Sequence, residues 1–158
     1  MEQKRIAIIR IKGKASLKKV VKDTFLLLRL YKKNSCVVVP NTPSYIGMIT
    51  KIKDCATWGE IDELTFKLLL EKRGKLPGNK SLTNEYIQQK LKITIDQFAK
   101  EFMNFKKELK DIPGLKHFFK LTPPKHGFEV KGIKVPFSQG GVLGYRKDQI
   151  NELIQRML

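Results

Sequence analysis

Residues Arg5 to Val39 constrain the fold more than any other stretch of the chain, because they read as strand, basic turn, amphipathic helix and strand in direct succession. Arg5-Ile6-Ala7-Ile8-Ile9-Arg10-Ile11 is short and β-branched, the pattern of a buried strand. Lys12-Gly13-Lys14-Ala15 turns the chain, and Ser16 is placed to cap a helix running to about Leu30. In that helix Leu17, Val20, Val21, Thr24, Leu27 and Leu28 recur at helical spacing and predict the core face, with Lys18, Lys22 and Arg29 opposite. Lys32-Lys33-Asn34 closes the unit, Asn34 being suited to a left-handed turn, and Cys36-Val37-Val38-Val39 supplies the second strand.

Charge on this unit runs against the helix. Lys14, Lys18, Lys19 and Lys22 crowd its N-terminal turns, where the macrodipole is already positive. The free backbone amides at such an end bind anions. Cations added there cost stability unless a polyanion supplies the counter-charge, which points to phosphate.

The whole chain supports that reading. Its 158 residues suffice for one or two compact domains. Thirty-two Lys+Arg against 15 Asp+Glu give a net charge of +17, which directs attention to nucleic acid or an anionic membrane surface. The excess is uneven. Residues 1–35 carry 11 basic and 2 acidic side chains, residues 54–109 carry 10 and 9, and residues 110–147 carry 8 and 2. Two basic flanks therefore enclose a nearly neutral middle. Met1-Glu2-Gln3-Lys4 leads straight into the first strand with no secretory signal, and the aliphatic runs are too short for a membrane span. Two cysteines, Cys36 and Cys55, suit a reducing compartment, so a cytoplasmic protein without membrane partners is expected.

Beyond Val39, Thr42 caps a short helix with Pro43 at its first position, and Ile46, Ile49 and Ile52 are expected to face inward. Asp54 to Trp58 reads as a third strand, completing β-α-β-α-β by about residue 58. The remainder, residues 59–158, reads as a mainly helical extension. Asp62 caps a helix through Leu64, Leu68 and Leu69 that stops at Gly74; Pro77-Gly78-Asn79 turns; Thr83 opens a helix carrying Ile87 and Leu91. Thr94 with Gln97 forms a capping box for a helix expected to bury Ile95, Phe98, Ala99, Phe102, Phe105 and Leu109 before Pro113-Gly114. Residues 116–146 turn extended and loop-like, with Phe118 to Leu121 as a strand, and a final helix from about Asp148 buries Ile150, Leu153, Ile154 and Met157. Long irregular segments of this kind are commonly functional.

Several stretches, taken together and in order, resemble the universal large-subunit ribosomal protein thirty family in its long archaeal and eukaryotic form. They are Arg10-Ile11-Lys12-Gly13, Leu27-Leu28-Arg29-Leu30, Ile49 through Asp62, and Leu70-Glu71-Lys72-Arg73-Gly74-Lys75. Further on come Phe119-Lys120-Leu121-Thr122-Pro123-Pro124, Lys125-His126-Gly127-Phe128 and Gly140-Gly141-Val142-Leu143-Gly144-Tyr145-Arg146. The resemblance implies an α+β, ferredoxin-like core, with a three-stranded antiparallel sheet and helices on one face, over residues 1–58. It also implies a structural role on large-subunit rRNA near 5S rRNA, with ribosomal proteins as neighbours. The absence of the long basic leader of eukaryotic members makes the chain look archaeal.

The expected RNA-binding residues follow from the two flanks: Arg5, Arg10, Lys12, Lys14, Lys18, Lys19, Lys22, Arg29, Lys32 and Lys33 in the first, and Lys120, Lys125, His126, Lys131, Lys134, Tyr145, Arg146 and Lys147 in the second. Lysines at a helix N-terminus position backbone phosphate, whereas an Arg fork serves phosphate or base edges. Aromatic side chains interleaved with Lys and Gly are the composition of an RNA-contacting extension, and Tyr145 beside Arg146 is the stacking candidate. Gly140-Gly141-x-x-Gly144 lacks the spacing of a nucleotide fingerprint. Cys36, Cys55, His117 and His126 lack zinc-ligand spacing, and neither histidine sits with an acid and a nucleophile. No metal, cofactor, small-molecule substrate or enzymatic role is expected. A free RNA- or DNA-binding protein is the alternative, and an RNA-modifying enzyme the remote one.

Overall fold

The computed structural model describes residues 2–158, with β1 (Arg5–Arg10) as the central strand of a five-stranded sheet. β2 (Ser35–Pro40) and β3 (Ala56–Glu60) pair antiparallel on its two sides, Ile8 facing Val37 and Trp58. This is the expected antiparallel three-stranded core. Two short strands from the C-terminal part extend it: β4 (Phe119–Lys120), antiparallel on β2, and β5 (Gly144–Tyr145), parallel on β3.

β1 is apolar on both faces because both faces are covered. Successive side chains of a strand point to opposite sides. Ile6 and Ile8 pack with α1 (Lys19–Leu27) and α2 (Pro43–Lys51), whereas Ala7 and Ile9 pack with the helices of the extension. β2 divides likewise, Val37 and Val39 to the first core, Cys36 and Val38 to the second. The helices of the first 58 residues thus lie on one face, as expected, and the extension closes the other with α3 (Glu63–Arg73), α4 (Asn84–Leu91), α5 (Ile95–Met103) and α6 (Ile150–Met157).

Local chemistry explains the boundaries. Thr42, Asp62 and Thr83 each accept a hydrogen bond from a backbone amide three residues on, and Thr94 and Gln97 complete the capping box in both directions. Phe66 on α3 and Phe102 on α5 stack with centroids 4.2 Å apart. Gly59 lets the turn before α6 lie against β3, since a Cβ there would meet the Lys147 carbonyl oxygen at 1.9 Å.

Several expectations are corrected. Ser16 is not the cap; it takes a left-handed conformation (φ 59°), and α1 begins at Lys19 behind Lys18, which makes no side-chain cap bond. The inward stripe of α1 is Val21, Thr24, Phe25 and Leu28, a complete i, i+3, i+4, i+7 set, which leaves Val20 58% and Leu27 74% exposed. The same one-residue rotation exposes Ile46 on α2, where Tyr45, Met48, Ile49 and Ile52 face the core. On α3 it exposes Leu64, and Phe66, Leu69 and Leu70 are buried. α5 stops at Met103 because Phe105 adopts a left-handed conformation, and Leu109 is buried from a following 3-10 turn.

Candidate nucleic-acid interface

Strand register brings parts of the two basic flanks to one end of the sheet. β1 finishes at Arg10 beside the start of β2, and Lys120 on β4 pairs with Ser35 at that same end. β5 runs parallel to β3 with Gly144 opposite Thr57, so the chain between Leu121 and Leu143 leaves and re-enters the sheet at the end where β1 finishes. The Lys12–Lys22 turn and helix start, the Lys32-Lys33-Asn34 turn and Lys120 therefore share an end, and the chain that carries Lys125, Lys131 and Lys134 leaves from it. Asn34 secures the junction: its amide donates to the Arg10 carbonyl, and its own carbonyl accepts from Leu121.

Lys14, Lys18, Lys19, Lys22, Lys32, Lys33 and Lys120 are exposed there, Lys125, Lys131 and Lys134 are exposed along the segment that leaves it, and Lys12 is half-buried. Among the described residues none of them forms an ion pair. His126 is exposed in the same segment, in a left-handed conformation. This unneutralised cationic surface needs external anions.

The arginines behave differently. Arg5 is 1% exposed: its Nη2 lies 2.9 Å from a Glu108 oxygen, its Nε donates to the Phe102 carbonyl, and its guanidinium lies between the Phe102 and Phe105 rings. Arg146 is 2% exposed, with Nη1 2.7 Å from Glu129, Nε donating to Thr57 and Nη2 to the Val142 carbonyl. Both were expected on the RNA surface. Both instead tie the extension and the second flank to the sheet. Strand alternation accounts for Arg5, whose odd position in β1 aims it at α5. The sequence signal for these pairs is slight, since Glu108 and Glu129 are distant along the chain.

Arg29 is exposed, and its Nη1 lies 3.2 Å from His117 Nδ1, beside the Val37–Pro40 edge rather than with Lys14 and Lys22. Burial and the adjacent Arg29 push the His117 pKa down. Tyr145 and Lys147 stand toward the opposite, acidic end, where Glu60, Asp62, Asp148 and Glu152 line a cavity. The Tyr145 hydroxyl donates to Glu60, and its pKa is pushed up to about 12 by burial and by that bond. Carboxylates beside the ring set it apart from the lysine surface.

Arg10 is the third buried arginine. Its Nε donates to the Lys12 carbonyl and its Nη1 to the Leu30 carbonyl, each at 2.8 Å, and its guanidinium covers Phe25 at 4.2 Å. Burial lowers its pKa, and among the described residues no carboxylate pairs with it. It lines a cavity of about 300 Å³ with Lys14, Lys22, Phe25, Leu26 and Tyr31. Tyr31 was not among the expected site residues; the signal for it is an aromatic ring directly before Lys32-Lys33.

Comparison with known proteins is consistent along the chain. The family model described as ribosomal protein L30p/L7e matches residues 6–55. The large ribosomal subunit protein uL30 of Methanosphaera stadtmanae is 46% identical over 153 residues, covering 96% of this chain and 99% of that protein. The uL30 protein of Nanoarchaeum equitans is 46% identical over 152 residues, covering 96% and 97%. That of Methanopyrus kandleri is 43% identical over 149 residues, covering 94% and 100%.

Proposed function

Because this chain belongs to the uL30 family of large-ribosomal-subunit proteins, we propose that it is a structural constituent of that subunit, holding rRNA at the end of the sheet where β1 finishes. The observation that carries the RNA assignment is the set of exposed lysines from both flanks, at that end or on the segment leaving it, that among the described residues have no carboxylate partner. Its chemistry is charge neutralisation and recognition of RNA shape, not catalysis.

Lysine ammonium groups on flexible stems contact backbone phosphates and fix register without reading sequence. Residues 1–58 serve as the RNA-binding core, and residues 59–158 as an extension whose 116–147 segment adds the second set of contacts. The partners are large-subunit rRNA and adjacent ribosomal proteins, and the place is the cytoplasmic ribosome. Contact with 5S rRNA is the finer part of the proposal and rests on the family resemblance. No described helix is long and apolar enough to cross a membrane.

The test is the salt dependence of binding to a large-subunit rRNA fragment. With six to ten phosphates neutralised, affinity falls roughly 10³- to 10⁵-fold between 50 and 200 mM salt. A nearly flat dependence overturns the electrostatic reading. Hydroxyl-radical footprinting of the assembled subunit then separates contact with 5S rRNA from contact with the large rRNA alone.

A further inference from the structure

The three buried arginines pose a question that two of them answer. Arg5 has Glu108 and Arg146 has Glu129, whereas Arg10, 4% exposed, has two backbone carbonyls and no anion. Removing a guanidinium from water without a counter-charge is costly, and the protein compensates only in part through carbonyl oxygens and the Phe25 face. Its third nitrogen, Nη2, makes no hydrogen bond among the described residues and is not an occluded atom. Nε and Nη1 each donate to a carbonyl, and Nη2, with both of its hydrogens unengaged, is the nitrogen left for the adjoining cavity.

The walls of that cavity are cationic and apolar. Lys14 and Lys22 line it beside Arg10 with no acidic residue, whereas the cavities beside Arg5, at the Glu60–Glu152 end and beside Arg146 each carry a carboxylate. The rest of its lining is Phe25, Leu26 and Tyr31, and both Leu26 (59% exposed) and Tyr31 (41%) present apolar surface to solvent. Tyr31 is held in place by an edge-to-face contact with Phe118, with centroids 5.4 Å apart and planes at 86°. Phe118 adjoins β4, so the second flank orients the ring that the first flank carries. A cavity of about 300 Å³ is at the lower end of small-ligand sites. Cations alone would suit any phosphate; an aromatic face beside them suits a phosphate that carries a base.

We propose that the cavity over Arg10 receives one unstacked nucleotide of the bound RNA, its base against Tyr31 and Leu26 and its phosphate held by Lys14, Lys22 and Arg10 Nη2. The proposal rests on the RNA-binding reading and goes beyond it, because it makes one position of the interface selective for an extruded base. Stacking on an aromatic side chain is tolerant of base identity, so the selectivity is for conformation and not for sequence.

The experiment compares the full-length protein with Tyr31→Ala, Tyr31→Phe and Lys18→Gln on two RNA hairpins, identical except for one unpaired adenosine bulge. The parent binds the bulged hairpin more tightly. Tyr31→Ala loses roughly 5- to 100-fold on the bulged hairpin and little on the paired one, with its salt slope unchanged. Tyr31→Phe keeps the preference. Lys18→Gln weakens both hairpins alike and lowers the salt slope by about one. Equal binding of both hairpins by parent and Tyr31→Ala, with a steep salt slope, overturns the pocket but not the RNA reading. No salt-dependent binding to either hairpin overturns both. Loss by Tyr31→Phe as great as by Tyr31→Ala overturns the stacking geometry. Tighter capture of free 5′-AMP than of the bulge assigns the site to a mononucleotide and overturns the RNA form of the proposal. Circular dichroism checks that each variant is folded, which the exposure of Tyr31 and Lys18 favours.

Discussion

Replacing Arg5 with Met separates a structural cation from a functional one. The substitution keeps an unbranched chain between the Phe102 and Phe105 rings, 3.9 and 4.1 Å from the present guanidinium, and removes every donor. The carbonyls of Phe102 and Lys107 lose hydrogen bonds of 3.1 and 3.3 Å, at about 1 kcal/mol each. The pair with Glu108 is worth about 1 kcal/mol or less, because that carboxylate is 45% exposed and regains water. The two cation–π contacts add about 0.5–1 kcal/mol each, of which a thioether returns part. Relief from burying a guanidinium offsets some of the total. The expected net loss is about 3 kcal/mol, read as a lower urea midpoint at constant m. RNA binding, measured where both proteins are folded, keeps its salt slope. Lys14→Gln does the reverse, with stability within about 0.5 kcal/mol and a slope lower by about one. A loss below about 1 kcal/mol, or a slope that falls in Arg5→Met, refutes the assignment of Arg5 to the interior.

Two further perturbations test the sheet and its acidic end. Gly59→Ala forces a methyl group against the Lys147 carbonyl and the Ile150 side chain, and is expected to cost about 2–3 kcal/mol by urea unfolding, followed through the single tryptophan, Trp58, on the same strand. Tyr145 has its pKa raised from 10 to about 12 by burial and by the bond to Glu60, so its contribution is present below pH 10 and lost as pH rises through 12. The parent should lose more stability over that window than Tyr145→Phe, as measured by urea titrations at each pH. Cys36, also pushed up to about 12, titrates in both proteins and cancels.

Legibility followed the kind of signal. Caps are local chemistry, and Thr42, Asp62, Thr83 and the Thr94–Gln97 box all stand where the sequence places them. The α6 stripe, Ile150, Leu153, Ile154 and Met157, was equally plain because no competing apolar residue lies beside it. On α1 and α2, Val20, Leu27 and Ile46 supply apolar positions adjacent to the true stripe, and periodicity alone cannot choose between faces one residue apart. Site residues divided by reach. The lysine cluster at the start of α1 is a local pattern and is exposed as read. The roles of Arg5 and Arg146 depend on Glu108 and Glu129, and of Tyr31 on Phe118, pairings that appear only when β4, β5 and α5 dock.

The division between arginine and lysine gives the charge of this chain its physical meaning. The sequence has 26 lysines and only six arginines, and three of the six, Arg5, Arg10 and Arg146, are less than 5% exposed. A guanidinium offers five donors in a fixed plane and is less strongly hydrated than an ammonium, so it is the cation that can be buried on carbonyls and aromatic rings. Arg5 and Arg146 use that geometry to bind the second half of the chain to the first: Arg5 to α5 and the turn after it, Arg146 to Thr57 on β3 and to Glu129 in the second flank. The lysines from Lys14 to Lys33 and from Lys120 to Lys134, strongly hydrated and without ion pairs among the described residues, stay outside. Counting both kinds together therefore overstates the surface charge and understates its order. Arg146, bonded to Thr57 and Glu129, helps hold the second flank against the sheet from which the first flank emerges, and the lysines of both flanks then serve one partner. Loss of the Arg146–Glu129 pair should accordingly loosen the Lys120–Lys134 segment first, weakening RNA binding through the geometry of lysines that remain present.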